Sequence, residues 1–425
     1  MRQIRTVVSI IFSFVCCVPA QSIDPQALLD EIRTHVAETV RKAPRYTCTE
    51  LIERSWLDNP KVQPPSCGTD RPRDQAHRKL MRTDRLRLDV AVGSDEEMFS
   101  WHGEKRFQTE EIDKLVTRGP ISSGTYYSFL TSVFLTGEAK IDYRDSRTVQ
   151  GRALAVFGYS LPLANSKFET RTDSGEAVMG YHGEFTVDVN THSLVQLTII
   201  SNEDEIPQSA HFCSVQITAT YGTVVLNATE FQLPSDVAMD LLDKNRELKK
   251  TVTRYQGCHE FAAESTLRFD AAPSSPAEPA RQTAKTLPGG LLLRIRITSK
   301  INPAAAWAGD PVSGELADDM FDAHGSLIAP KGSPVSGRLL GLENVLFPSP
   351  YYLATVRFQE LKLTDADYTL NLRFLFDTVP SESGLIPRRM QLETPAIFGD
   401  SAECRFRLLD NQANLKGAIT RWVTN

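Results

Sequence analysis

PGGLLLRIRITSKINPAAAWAGDPVSGELADDMFDAHGSLIAPKGSPVSGRLL, residues Pro288 to Leu340, carries no helical period and no cluster of catalytic residue types. Leu293, Ile295 and Ile297 alternate with Arg294, Arg296 and Thr298, the period-2 pattern of a half-buried strand. Ala308-Gly309-Asp310-Pro311 and Ala329-Pro330-Lys331-Gly332 read as turns, because proline presets φ and glycine takes the conformation other residues resist. The stretch therefore reads as four short strands cut by turns, folding into a small β-barrel that presents surfaces rather than runs a reaction. Further on, Tyr368, Leu370, Leu372, Phe374 and Phe376 alternate after a Thr364-Asp365-Ala366-Asp367 turn. A Pro-Ser-Glu-Ser-Gly loop and a terminal strand near Ala418–Val423 follow, so this unit spans 288–425 with a C-terminal extension.

Upstream, 270–287 (DAAPSSPAEPARQTAKTL) holds Pro273, Pro276 and Pro279 with little to bury, the composition of a linker. Before it, residues 21–269 read as a second unit. Asp24 is a good N-cap with Pro25 at the first helical position, and Leu28, Leu29, Ile32, Val36 and Val40 form an i, i+4 stripe that ends at Lys42-Ala43-Pro44. From Tyr46 the period changes to two, with strands at Tyr46–Trp56, Arg85–Val92, Met98–Trp101, Ala153–Leu161, Gly183–Val189, Ser193–Ile200 and Val215–Tyr221. Val237–Leu242 reads as a further strand. Asp188-Val189-Asn190-Thr191 and Asp243-Lys244-Asn245 are turns between strands. Gly119 to Gly137 interrupts the alternation with an apolar, aromatic run of the size of a short helix or a lid. The fold class expected is mainly β, a β-rich α+β chain: a curved antiparallel sheet packed on an N-terminal helix, plus a separate small β-barrel.

Residues 1–20 have the pattern of a signal peptide. Arg2 and Arg5 precede an apolar run from Val7 to Val15, and Val18-Pro19-Ala20 offers a small-residue cleavage site. That run is shorter than the ~20 residues a membrane span takes. Acylation at Cys16 or Cys17 ranks second, because Phe14-Val15 lacks the small residue such processing prefers. The expectation is a periplasmic or secreted protein with no transmembrane segment in its mature chain. A net charge of −6 over 425 residues, without a basic block, argues against nucleic acid as a partner.

Cys48, Cys67, Cys213, Cys258 and Cys404 lie beyond the leader, an odd set that suggests two bridges and one free thiol in an oxidising compartment. The short Cys48–Cys67 loop is the first pairing expected and Cys213–Cys258 the second. His211, Cys213, Cys258 and His259 are the nearest approach to a zinc set, but neither half has ligand spacing and exported cysteines oxidise. His182 and Glu184 are the nearest approach to an acid/base pair, with no nucleophile attached to them. Ser333 sits in GSPVSG, which lacks the strand–elbow–helix context of a hydrolase serine. Asp95–Glu97 and Asp318-Asp319 read as solvated turns, not calcium loops. Asn227-Ala228-Thr229 fits a glycosylation sequon. Tyr126, Tyr127, Phe129 and Phe134 pack a core by default, yet an aromatic segment between strands also suits the wall of an acyl-chain cavity. No cofactor motif is present.

Two resemblances rest on these residues. The helix, the strands and the hairpin Tyr181 to Val195 (YHGEFTVDVNTHSLV) resemble the LolA-type periplasmic lipoprotein carriers and sensors, in which a half-open β-barrel curls over a helix. The run Leu327 to Arg338 (LIAPKGSPVSGR), with Gly309-Asp310-Pro311-Val312, is similar to a hairpin in the β-barrel of TrbI-type conjugation and secretion core proteins. The two-block arrangement resembles exported proteins of soil bacteria such as acidobacteria. These resemblances imply a non-enzymatic cell-envelope binding protein. Its first unit would hold a lipid, lipoprotein or other apolar ligand, with Trp101, Tyr126, Tyr127 and Phe129 lining the concave face, and its barrel would meet envelope proteins. The alternatives are a structural or assembly component and a hydrolase built on His182 and Glu184.

Overall fold

The computed structural model describes residues 24–42, 44–58, 67, 78–93, 97–104, 106–108, 112–116, 118–121, 128–172, 175–207, 209–260, 285–363, 366–375, 390–392, 402–410 and 415–425. The signal-peptide reading, most of the linker and Tyr126 and Tyr127 lie outside these residues. Asp24 opens the first element: its Oδ1 accepts from the N–H groups of Gln26 (3.0 Å) and Ala27 (3.3 Å), satisfying donors a helix start leaves orphaned. Helix α1 (Pro25–Lys42) then buries Leu28, Leu29, Ile32 and Val36 on one stripe.

The first unit's sheet is built from β1 (Tyr46–Asp58), β2 (Lys79–Val92), β3 (Glu97–Trp101), β4 (Lys140–Val149), β5 (Arg152–Leu161), β8 (Tyr181–Asp188), β9 (Leu194–Ser201), β10 (Phe212–Leu226), β11 (Thr229–Asp243) and β12 (Leu248–Glu260). β6 (Glu169–Thr172) and β7 (Gly175–Val178) form a side hairpin. Neighbours run β3–β2–β1–β12–β11–β10–β9–β8–β5–β4, every pair antiparallel. Alternation puts one side chain per pair of residues on the inner face, and α1 packs there. Asp188 makes the β8–β9 turn as expected, its Oδ1 accepting from Asn190 (2.9 Å) and Thr191 (3.1 Å) N–H groups.

The disulfide pairing expected from sequence proximity is corrected. The bridges are Cys48–Cys258 and Cys67–Cys213, and Cys404 is free and buried in the second unit. Cys48 lies on β1 beside β12, where Thr47 faces His259, so sheet neighbourhood places Cys48 against Cys258 although 210 residues separate them. Chain closure grows only slowly with loop length, so a short sequence separation gives little preference.

The second unit contains β13 (Lys285–Thr286), β14 (Leu292–Ile297), β15 (Pro311–Leu316), a hairpin of β16 (Met320–Phe321) and β17 (Leu327–Ala329), β18 (Pro334–Val345), β19 (Tyr351–Lys362), β20 (Asp367–Thr369), β21 (Leu372–Phe374), β22 (Met390–Leu392), β23 (Cys404–Leu408) and β24 (Ile419–Thr424). Its ring closes. β14 pairs β15, β15 pairs β18, β18 pairs β19 and β19 pairs β20; the chain steps through Leu370 and Asn371 into β21, which pairs β24, and β24 returns to β14. Trp422 fills the middle, edge-on to Phe358 (5.8 Å) and Phe374 (5.1 Å). The end of the expected linker is itself structured: Lys285–Thr286 runs parallel to β20 and Leu287 joins the core.

The barrel keeps a core of its own, but it is not detached. β2 starts at Lys79, six residues before the strand read from sequence, and its first half pairs with β18 through Thr83↔Asn344 and Arg82↔Val345. Ala308 bridges the same strand, accepting from Arg87 N–H (2.8 Å) and donating to Arg85 O (3.0 Å). Trp307 lies under the guanidinium groups of Arg85 and Arg87 (5.2 and 5.4 Å), and Arg338 donates to His102 O and pairs with Glu104 at 3.2 Å. Gly309 makes this closeness possible. Its φ is +104°, and a Cβ there would sit 2.5 Å from Arg87 O and 3.1 Å from the Trp101 ring. Gly309→Ala is expected to cost about 1–3 kcal/mol and to loosen this seam first. Hydrogen exchange should show faster exchange at Arg87 and Ala308; unchanged protection there would contradict the account.

Candidate functional site

One cross-strand row crosses the inner face without a break: Leu86, Ile52, Thr253, Val237, Ala219, Leu197, Phe185, Phe157 and Tyr143 are each opposite the next. All but the last are buried. Over one half of the face lie α1 and a helical turn, Ser128–Leu130, running into Thr131–Leu135, whose wide pitch shows in the Thr136 N–H to Thr131 O bond (3.2 Å). Phe134 meets Phe185 at 4.8 Å, Phe185 stacks on Phe157 at 5.1 Å, and Phe129 stands edge-on to Phe168 and Tyr181. The Tyr159 hydroxyl donates to Thr198 O (2.8 Å), and burial pushes the Tyr181 hydroxyl up to about 12. Over the other half, Tyr46, Ile52, Leu88, Val90, Phe99 and Trp101 form a second apolar cluster with Ile112 and Val116.

Between the two clusters runs a buried polar strip of Glu50, Arg54, Asp84, Thr251 and Thr253. Arg54 grips Asp84 with two bonds, Nε to Oδ1 at 2.7 Å and Nη2 to Oδ2 at 2.5 Å, with both side chains under a tenth exposed. Its remaining nitrogen donates to the carbonyls of Arg118 (2.6 Å) and Pro120 (3.4 Å), and Thr251 Oγ1 donates to Pro120 O (3.4 Å). The segment over the strip is thus fastened to the sheet floor by a charge-assisted fork. Gly119 lets it come down, since a Cβ there would lie 2.7 Å from Trp56 and 2.8 Å from Arg54 Nη1. The guanidinium groups of Arg54 and Arg82 lie over the Trp56 ring, at 5.4 and 4.3 Å.

Of the residues expected to line one cavity, two are described. Phe129 is in the α1-side cluster and Trp101 in the other, against Gly309. Tyr126 and Tyr127 fall outside the described residues. Arg54, Asp84 and Thr251 were missed, although a signal existed. Glu50 and Arg54 occupy the same alternation phase as Tyr46, Cys48, Ile52 and Trp56, so two charges stand on an apolar face.

The other candidates resolve simply. His182 and Glu184 are exposed on the outer face, with His182 Nδ1 2.8 Å from Asn202 Oδ1, while Tyr181, Gly183 and Phe185 face inward. Ser333 Oγ donates to Pro330 O (2.7 Å) within its turn. Asp318 pairs with Arg294 and Asp319 accepts from Lys331 N–H. Asn227 is exposed in the β10–β11 turn. Cys213 and Cys258 are spent in the bridges, and among the described residues no group of three or more His, Cys, Asp or Glu could hold a metal.

On the helix side, His35 of α1 is half-buried near His192 of the β8–β9 turn, which pairs with Glu31 at 2.9 Å. Burial first, then His192 and Lys42, lower the His35 pKa, against a raising influence from Glu38. A histidine depressed on folding stabilises the fold fully above its ordinary value of 6.5, and that stability is lost as pH falls through 6.5 toward the folded value. The unfolding midpoint of wild type is therefore expected to drop from pH 7 to 5 more steeply than that of His35→Gln; parallel profiles would refute this.

No protein-family model and no curated protein matches the chain. Solved structures that match include a LolA superfamily protein from Nitrosomonas europaea, 9% identical, covering 57% of this chain and 95% of that one at a TM-score of 0.25. A putative outer membrane lipoprotein-sorting protein domain from Vibrio parahaemolyticus is 11% identical, covering 56% and 93% at 0.27. A DUF1329 family protein from Desulfovibrio piger is 8% identical, covering 56% and 94% at 0.26. Likeness of this size carries no part of the functional reading. Among the described residues no helix is long and apolar enough to cross a membrane.

Proposed function

We propose that this chain is an exported, non-enzymatic binding protein of the cell envelope that holds an apolar ligand, such as the acyl chains of a lipid or lipoprotein, on the inner face of its curved sheet. The observation that carries this reading is how that face is covered. A sheet ten strands wide presents a cross-strand row that is apolar but for Thr253. Among the described residues its cover is one helix, short helical turns, the β6–β7 hairpin and a segment at 118–121 fastened by Arg54, not a second large sheet. A cover held at a few points can lift and leave apolar side chains for a ligand, at the cost of local rather than global unfolding. The barrel would serve partner contacts, for which its β16–β17 hairpin exposes Phe321 and Leu327 and β14 exposes Leu292.

The test uses the full mature chain. It is expected to co-purify with lipid detectable by mass spectrometry after solvent extraction. A fatty-acyl fluorophore should bind saturably and quench tryptophan emission, since Trp56 and Trp101 face the covered side. Clean extracts together with no saturable quenching would sink the reading.

A further inference from the structure

We propose that the chain self-associates through β4, the free edge of the first unit, as a two-fold antiparallel pair of β4 strands. Among the described residues β4 pairs only with β5, so about half of its ten residues, the alternate ones whose N–H and C=O point away from β5, line its other side. Its side chains are exposed throughout except for half-buried Ile141. An edge of this length is a template for another strand.

The order of charges supplies the occupant. When Arg144 of one copy faces Asp145 of the other, Asp142 faces Arg147 and Lys140 faces Val149, and each pairing occurs twice across the axis. Every charged pair formed is of opposite sign. Sliding the strands by one residue puts Arg144 against Arg144, or Asp145 against Asp145.

This register would normally fail, because residues facing each other in an antiparallel pair must share a face, and 142 and 147 differ in parity. The β4 bulge repairs it. β5 sees Asp142 opposite Gly158, Asp145 opposite Val156 and Arg147 opposite Leu154, with Arg144 the extra residue between. One added residue flips the phase, so Asp142, Asp145 and Arg147 all stand on the outer face. The inner face then pairs Tyr143 with Ser146 and Ile141 with Thr148. Asp142 already holds Arg144 at 2.7 Å in one chain, but both are more than half exposed, so exchanging partners is nearly free. A bulge at an edge commonly blocks pairing; here it brings the complementary charges onto one side.

The association is independent of the ligand reading above. It is tested by sedimentation of the full chain over a concentration series. Wild type should form a dimer that weakens with added salt. Arg147→Asp, which sets like charges opposite each other twice, should weaken it by about tenfold. The swap Asp142→Arg with Arg147→Asp should restore wild-type affinity to within about threefold. A monomer at every concentration, a dimer indifferent to Arg147→Asp, or a swap that fails to restore would each overturn the proposal. Circular dichroism of each variant separates lost pairing from lost folding.

Discussion

Arg54→Met is expected to destabilise the chain by about 3–5 kcal/mol, because it leaves the Asp84 carboxylate buried without its partner. The geometry sets the size. Both oxygens of Asp84 accept from Arg54, and the pair is almost wholly screened from solvent. Asp84→Asn should cost less, since the amide still accepts one bond. The informative variant is the double Arg54→Met/Asp84→Leu. If the pair is held for its latch rather than for stability, exchanging both for apolar groups of similar volume should recover most of the loss. The Arg118 and Pro120 carbonyls would still be unfastened, so the cover segment 118–121 should exchange amide hydrogens faster even in the recovered variant. Urea unfolding gives the first quantity and hydrogen exchange the second. A single-mutant cost under about 1 kcal/mol would mean the pair is solvated, and the latch with it.

What was legible in the sequence follows from what alternation can report. α1 was fully readable, cap and stripe together, because a helix on a core writes its contacts into one segment. Strands with alternating burial, such as β14 and the first half of β8, were readable for the same reason. β4 was not, since an edge strand exposed on both faces has no apolar phase to show. The first half of β2 was missed because Lys79–Arg85 show no buried phase: the strand is held there by pairing with β1 and, at Arg82 and Thr83, with β18, and such pairing leaves no local period. The same limit explains the site. The polar strip is spread over β1, β2 and β12, and only the Glu50–Arg54 phase on β1 lies in one stretch. The turn residues at Ala308–Pro311 were read for their backbone chemistry, but that they seat the barrel against Arg87 and Trp101 is a tertiary fact.

Removing the Cys48–Cys258 bridge by a double serine substitution is expected to cost about 2–5 kcal/mol, among the largest single effects in the chain. The bridge closes 210 residues, so it constrains the unfolded ensemble from the start of the sheet to the end of its last strand. It also sits where the fold most needs closure. β1 is held on one side by β2 and on the other by β12, and among the described residues the β1–β12 ladder is the strand pairing that joins the chain's first strands to the end of its meander. With the bridge gone, β1 and β12 are expected to part at the Tyr46–Glu260 end, where the bulge between Thr47 and Thr49 already weakens the ladder. The loss should then travel, because Cys48 lies in the same cluster as Leu88, Trp101 and Ala308. Denaturant unfolding with and without a thiol reductant gives the cost. The double-serine variant should lose most of the reductant dependence, leaving only the share of Cys67–Cys213. Cys404, buried in the barrel and with its thiol pushed well up by burial, should resist alkylation until the barrel itself opens, which makes it an internal reporter. Reductant that leaves the midpoint unmoved would show that the sheet closes without the bridge. Alkylation of Cys404 together with the loss of β1 would show that the seam at Gly309 carries unfolding from one unit to the other.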